Sequence, residues 1–299
     1  MKIRPLSNVG VEICDIDISD LSENQYLEIR EIFLENLMVL FRGQSLDTLP
    51  FAKLVSSMGG PIANFSQCVW DKSGNEFPPM SFQSPFTWSR NDHEYPVQRV
   101  TGMKRKGVET GIFGAGKLDW HSNMNGPFNR APGVALHGIS GVEGTSTSWM
   151  DTTAAYSDLS DEVKNRCQNI IGVFEYSPEI WAEGLPEWQL NFMTKNKESS
   201  YEMPLVNISA KNKVGLYFHY LNKCRFPTDP ALLEILKNHC FQEKYIFTLD
   251  WQPGDIHLSD QVLTLHKRNQ DDPNLLNERV LHRYTFHFDS PSYKVGGTI

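Results

Sequence analysis

Two histidines and an asparagine hold the chemistry that stands out in this sequence: His121 and Asn123 in DWHSNMNG (119–126), and His266 in WQPGDIHLSDQVLTLHKR (251–268). On an extended chain residues i and i+2 point to the same side, so His121 and Asn123 can address one point. A second imidazole brought in from far downstream would complete a three-donor face. Two imidazoles and one oxygen on one side of Fe(II) leave the opposite positions open for a chelating cosubstrate and for oxygen. In that arrangement the oxygen donor is ordinarily a carboxylate. Asn123 offers a neutral amide oxygen instead, which offsets less of the metal's charge and should hold it more weakly.

These residues need elements to position them. LSENQYLEIREIFLENL (21–37) opens with Ser22 and Gln25 as a capping box, and apolar residues follow at near-helical spacing, which predicts a helix. MVLFRG (38–43) reads as a buried strand, and LPFAKLVSSMGG (49–60) as a second helix closed by Gly59. From about residue 61 to 116 aromatic, Pro, Ser and Asn residues mix without a period. That stretch reads as a long loop or lid, in which Phe82, Phe86 and Trp88 could wall a partly apolar substrate. Short strand-like runs follow: GVALHGISGV, TSTSWMDT, VGLYFHYL, YIFTLDW, DIHLSD and HRYTFHFD. Two helices interrupt them, one after Ser160 and one at DPALLEILKNHC, with Asp229 as its cap and Pro230 at its first position. An α/β start followed by many short strands predicts an α+β protein with a jelly-roll core and flanking helices, residues 1–299 forming one domain.

Composition narrows the partners. A chain of 299 residues with 40% hydrophobic content can bury a substantial core, and a formal charge of −8 without Lys/Arg blocks argues against nucleic-acid or anionic-membrane contact. Five scattered cysteines without a CxxC pair fit a reducing cytoplasm rather than a disulfide framework. The N-terminus is too polar for a signal peptide, and no apolar run is long enough to cross a membrane. The expected partner is a small molecule, and a homo-oligomer stays open.

Three blocks occurring in order carry a resemblance: DISDLSENQYLEIREIFLENLMVLFRGQSL near the start, WHSN with PGVALHGI and GTSTSWMDTTAAYSDLS in the middle, and WQPGDIHLSDQVLTLHKR with NERVLHRYTF near the end. With these the chain resembles the taurine dioxygenase group of Fe(II)/2-oxoglutarate dioxygenases over nearly its whole length. The resemblance implies a double-stranded β-helix, with Fe(II) held by His121, Asn123 and His266, and with 2-oxoglutarate and O2 as cosubstrates. It matches Thr147 to the threonine at the far carboxylate of 2-oxoglutarate. Arg279, thirteen residues beyond His266, matches the arginine that pairs with that carboxylate. Arg283 matches a second arginine near the inner carboxylate or an anionic substrate. The residue types suit these roles, because a planar guanidinium grips a carboxylate with two parallel hydrogen bonds while a hydroxyl adds a third. Gly133, Trp149 and the histidines at 137, 219, 257, 282 and 287 are assigned to packing or the rim, and Asp255 and Asp260 to turns.

The departure is Asn123, where the family has Asp or Glu. Four readings stay open: an amide or a water completes the metal site, a substitution traps a complex, a halide enters as in related halogenases, or the site binds a dicarboxylate without turnover. The first two imply oxidation of a C–H bond in a small anionic or amino-acid-like substrate by hydroxylation, desaturation or cyclisation.

Overall fold

A computed structural model describes residues 1–59, 69–70, 76–77, 97–105, 108–109, 111, 113–114, 118–123, 132–175, 200–218, 223–270 and 272–288. Phe82, Phe86, Trp88, His219 and most of the expected lid lie outside the described residues. The architecture mixes helices and sheets. The strands that matter for the site are β1 (Lys2–Pro5), β2 (Val11–Cys14), β3 (Met38–Phe41), β4 (Gln98–Val100), β5 (Gly133–Ser140), β6 (Ser146–Asp151), β7 (Ile246–Asp250), β8 (Ile256–Asp260), β9 (Thr264–Arg268) and β10 (Val280–Phe286). The helices are α1 (Glu23–Asn36), α2 (Thr48–Ser57), α3 (Thr152–Ser157), α4 (Asp161–Cys167), α5 (Pro230–Cys240) and α6 (Pro273–Glu278).

Seven strands form the larger sheet in the order β1-β2-β3-β8-β5-β10-β4, and three form a smaller one in the order β7-β6-β9. Only the β2–β3 pair is parallel in these two sheets. From β5 onward the chain crosses between them repeatedly, with β5, β8 and β10 in the larger sheet and β6, β7 and β9 in the smaller. The turn from β7 to β8 makes one of these crossings. There Gly254 has a φ of +83°, and a Cβ would lie 2.6 Å from the Gln44 carbonyl oxygen, so both conformation and space require glycine.

Side-chain alternation sorts the larger sheet's two faces. Val39, Phe41, Ile256, Leu258, Tyr284 and Phe286 pack outward against Ile29 and Phe33 of α1 and Phe51 and Leu54 of α2. Met38, Leu40, Val100 and Leu281 point the other way and meet Trp149, Leu249 and Trp251 of the smaller sheet's side. The site lies within this second, inter-sheet layer. A third cluster, including Trp120, Met150, Phe218, Leu232 and Leu265, backs the smaller sheet with α3 and α5.

Helix α1 starts as expected: Ser22 accepts from the Gln25 amide, and the Gln25 side chain returns to the Ser22 backbone. It stops at Leu37, whose φ of 64° breaks the helix and turns the chain into β3. Several expectations need correction. Helix α2 begins at Thr48 and ends at Ser57, earlier at both ends than read. Asp229 sits at the cap position of α5 but makes no capping bond, because Arg166 takes both its carboxylate oxygens at 2.8 and 2.9 Å. Of the described residues of VGLYFHYL, Val214–Leu216 form a strand, paired with Val206–Ile208. Helices α3 and α6 went unread, and β4, within the stretch taken for loop, is an edge strand of the larger sheet paired to β10. No helix among the described residues is long and apolar enough to cross a membrane.

Leu258 is fully buried at the centre of the larger sheet, between β3 and β5 and under the helices. Leu258→Ala should lower stability by about 2–5 kcal/mol, the cost of lost burial plus a cavity. Urea denaturation followed by circular dichroism would measure it, with the midpoint falling and the slope unchanged.

Candidate active site

His121 lies beside β9 as an added rung of the smaller sheet. Its N–H donates to the His266 carbonyl and the reverse bond closes the pair, both at 2.9 Å, while Arg268 N–H donates to the Leu118 carbonyl at 3.0 Å. The two imidazoles are thereby fixed side by side with ring centroids 4.2 Å apart. His266 is therefore within a strand, not just after one. Alternation explains which neighbours share the site: Trp120 and Lys267 point away, with the Lys267 ammonium 5.0 Å over the indole, while His121, His266 and Arg268 point inward.

Nδ1 of His121 lies 2.6 Å from the Asp119 carbonyl oxygen. That contact fixes Nδ1 as the protonated nitrogen and leaves the Nε2 lone pair for a ligand. Burial lowers the His121 pKa to about 4, further depressed by the charges of Arg268 and Arg283, so the ring is neutral at physiological pH. Asn123 brings its side-chain amide within 3.1 Å of Nε2 of His266. A half-turn about the last side-chain torsion exchanges its nitrogen for its oxygen at that place. The Asn123 backbone is held by Gln261, whose Oε1 accepts from the Asn123 N–H at 2.9 Å and whose Nε2 donates to Ser259 at 2.7 Å. The Gln261 carbonyl also accepts from the Ser122 hydroxyl.

The donors His121 Nε2, His266 Nε2 and the Asn123 amide therefore converge, and they suit a borderline divalent metal, for which imidazole is a good ligand. Among the described residues no cluster of three His, Cys, Asp or Glu could hold a metal. The amide at 123 accounts for that at this place. The carboxylates nearby in sequence are engaged in turns: Asp151 caps α3, Asp255 pairs with Arg42 at 2.6 Å and accepts from Gln252, and Asp260 accepts from the Val262 and Leu263 amides.

A cavity between the sheets opens beside these donors. Thr147, Arg268, Arg279 and Arg283 line it with them, and Val100, Phe113, Leu118, Leu136 and Leu281 supply apolar walls. The Trp251 indole N–H donates to Thr147 Oγ1 at 2.9 Å, so the threonine's own O–H is left to donate. Arg279 follows α6 directly and is 2% exposed, and its Nε has no hydrogen-bond partner among the described residues. Burial, then the like charge of Arg268, push Arg279 down to about 9, which still leaves it charged at neutral pH. Arg283 is held by the Gln98 side-chain oxygen on the neighbouring edge strand, and burial lowers it to about 10.

The six residues expected to share a site, His121, Asn123, Thr147, His266, Arg279 and Arg283, thus line one cavity. Arg268, Gln98 and Gln261 were missed. Arg268 was findable by parity, since it stands two residues from His266 on the same strand. Gln98 and Gln261 carry no local signal, because the role of Gln98 depends on a pairing across the sheet and that of Gln261 on a contact with a segment far away in sequence. His257, between the sheets, stacks on Trp149 with centroids 4.0 Å apart, and burial holds its pKa at about 3.

A model of the family described as "Taurine catabolism dioxygenase TauD, TfdA family" matches residues 2–285. Pentalenolactone F synthase from Streptomyces avermitilis is 22% identical over 316 residues, covering 96% of this chain and 94% of that protein. An alkylsulfatase from Acinetobacter baylyi is 22% identical over 300 residues, covering 95% of this chain and 84% of that protein. Among solved structures, a taurine dioxygenase from Burkholderia xenovorans superposes with a TM-score of 0.67 at 21% identity, covering 97% of this chain and 91% of that one. AAD-2 in complex with Mn(II) and N-oxalylglycine gives a TM-score of 0.68 at 15% identity, covering 98% of this chain and all of that one at 100%.

Gln261→Met preserves volume but leaves the Asn123 N–H and Ser259 without their partner. It should cost about 1–3 kcal/mol of stability and weaken Mn(II) binding by about 10–100-fold, the usual effect of losing a group that orients a ligand. Thermal denaturation and Mn(II) titration of the same samples would measure both.

Proposed function

The chain belongs to the TauD, TfdA family of Fe(II)- and 2-oxoglutarate-dependent dioxygenases, and we propose that it oxidises a C–H bond of a small anionic substrate in the cavity between its two sheets. The observation that carries this reading is the meeting of two imidazoles, held side by side, with a cluster of guanidiniums in one cavity. The repeated crossing of the chain between two sheets, antiparallel apart from the β2–β3 pair, supports a double-stranded β-helix as its core.

In this reading His121 and His266 hold the metal through Nε2, and Asn123 completes the set through Oδ1. Fe(II) with 2-oxoglutarate, when bound, would supply the electrons that activate O2 for oxidation of the substrate. The protein's own residues bind and orient. Arg279 and the Thr147 hydroxyl take the far carboxylate of 2-oxoglutarate, the guanidinium through paired N–H donors and the hydroxyl through its remaining proton. Arg283, fixed by Gln98 and 6.0 Å under the Phe113 ring, faces the substrate's anionic group. Val100, Leu136 and Leu281 line the wall and keep water from the reacting centre.

The relatives are named for different compounds, an alkyl sulfate and taurine among them, and an anionic substrate here is in keeping with those two names. Hydroxylation, desaturation and ring closure use the same residues and differ in how the substrate sits.

Anaerobic titration with Fe(II) and 2-oxoglutarate, read by the visible charge-transfer band of the chelate, tests the assembly. The chain should give the band, and Asn123→Asp should give it at about 10-fold or more lower Fe(II), because an anionic oxygen replaces a neutral one. A band from Asn123→Asp alone would mean that the chain with asparagine does not assemble an iron site. A band from neither would leave a dicarboxylate-binding protein.

A further inference from the structure

Trp251 is fully buried in the inter-sheet layer and is not among the described residues that line the cavity, yet its indole N–H is spent on one that does. In the register of β6 with β7, Thr147 stands opposite Leu249. Trp251 lies two residues beyond Leu249, and its backbone N–H donates to the Thr145 carbonyl at 3.0 Å, which continues the ladder past the end of β7. The two-residue period puts Leu249 and Trp251 on the same face as Thr147, and a diagonal neighbour is within reach of a long aromatic side chain. The indole N–H closes that diagonal on Thr147 Oγ1 at 2.9 Å. The ring has little freedom to leave it. Trp149 meets it edge to face with centroids 6.3 Å apart, and a Cβ added at Gly138 of β5 would lie 3.4 Å from Cε3 of the indole.

An indole N–H can only donate, whereas a hydroxyl has one proton and two lone pairs. Among the described residues the indole is the one hydrogen-bond partner of the Thr147 hydroxyl, and Thr147 lines the cavity with Arg279. A threonine without that partner is free to turn a lone pair, rather than its proton, towards a ligand. We infer that Trp251 is a positioning residue for the cosubstrate: it holds the Thr147 hydroxyl as a donor, and so favours a ligand whose far end is a carboxylate, which accepts hydrogen bonds and donates none. The inference rests on the reading of Thr147 and Arg279 as the far-carboxylate site. Hydrogen bonds in a chain polarise one another, so the indole that donates to Oγ1 also makes the Thr147 O–H a stronger donor.

The test is calorimetric titration, in the presence of Mn(II), with 2-oxoglutarate and with 2-oxopentanoate, which has the same carbon count and no far carboxylate. The samples are the wild-type chain, Trp251→Phe, Thr147→Val and the double variant. Trp251→Phe keeps an aromatic body and removes the donor. It should lose about 3–10-fold in 2-oxoglutarate affinity, the scale of one neutral hydrogen bond, while binding 2-oxopentanoate within about 2-fold of wild type. In the Thr147→Val background the same substitution should leave 2-oxoglutarate affinity unchanged, because the residue through which Trp251 acts is gone. Unchanged 2-oxoglutarate affinity in Trp251→Phe, an equal loss for both ligands, or a loss that persists in the Thr147→Val background would overturn the role given to Trp251.

A second readout leaves Trp251 in place, and so holds even where Trp251→Phe does not fold. With Zn(II) as a diamagnetic metal, the indole N–H proton resonance that Thr147→Val displaces should move downfield in the wild-type chain on adding 2-oxoglutarate, and not on adding 2-oxopentanoate. A resonance that ignores both ligands, or answers both alike, would overturn the inference. Failure of the wild-type chain to bind 2-oxoglutarate would overturn the far-carboxylate reading itself, and that outcome is separate because it needs no variant.

Discussion

Burying a guanidinium costs several kcal/mol unless an anion or a set of hydrogen-bond acceptors compensates it, and this protein buries three of them around one cavity. Arg283 is answered by the Gln98 side-chain oxygen, and Nη1 of Arg268 donates to the Phe113 carbonyl. The Arg279 Nε has no partner among the described residues. The fold tolerates the arrangement because two sheets clamp the cavity from both sides and two helices seal the larger sheet from behind. No carboxylate is among the described residues that line the cavity, so an anion bound there would meet Arg279 and Arg283 directly.

Asn123 fits the same account. A carboxylate at this place would face the arginines with one negative charge of its own and would draw some of their field. An amide contributes none, so no negative charge comes from position 123 to face the guanidiniums. Metal affinity falls on that exchange, while the pull on anionic ligands rises. Asn123 is also held by the same Gln261 contact that a carboxylate there would use, since the bond is to its backbone N–H. The Gln261 contact is therefore independent of which side chain stands at position 123.

Much of this was legible in the sequence, and the reasons differ from element to element. The capping box of α1 is a local signal, as is the apolar run of β3, and each depends on residues a few positions apart. His121 and Asn123 share a face because of the two-residue period of an extended chain, which needs no tertiary knowledge. Arg268 obeys the same period relative to His266 and could have been read from it. The strand β4 could not, because its three residues pair only with β10, and its neighbours in sequence carry no alternation. Asp229 reads as a helix cap by type and place, but Arg166, more than sixty residues away, outcompetes the helix for its carboxylate. Gln261 anchors the site from a turn whose polar residues look like any other turn.

The most direct measurement of the central claim is a crystal structure of the chain with Mn(II) and 2-oxoglutarate, using manganese anomalous scattering to find the metal. The account predicts one manganese bound by Nε2 of His121 and Nε2 of His266, with the far carboxylate of 2-oxoglutarate against Arg279 and Thr147. Manganese elsewhere, or a far carboxylate that leaves Arg279 uncompensated, would contradict it.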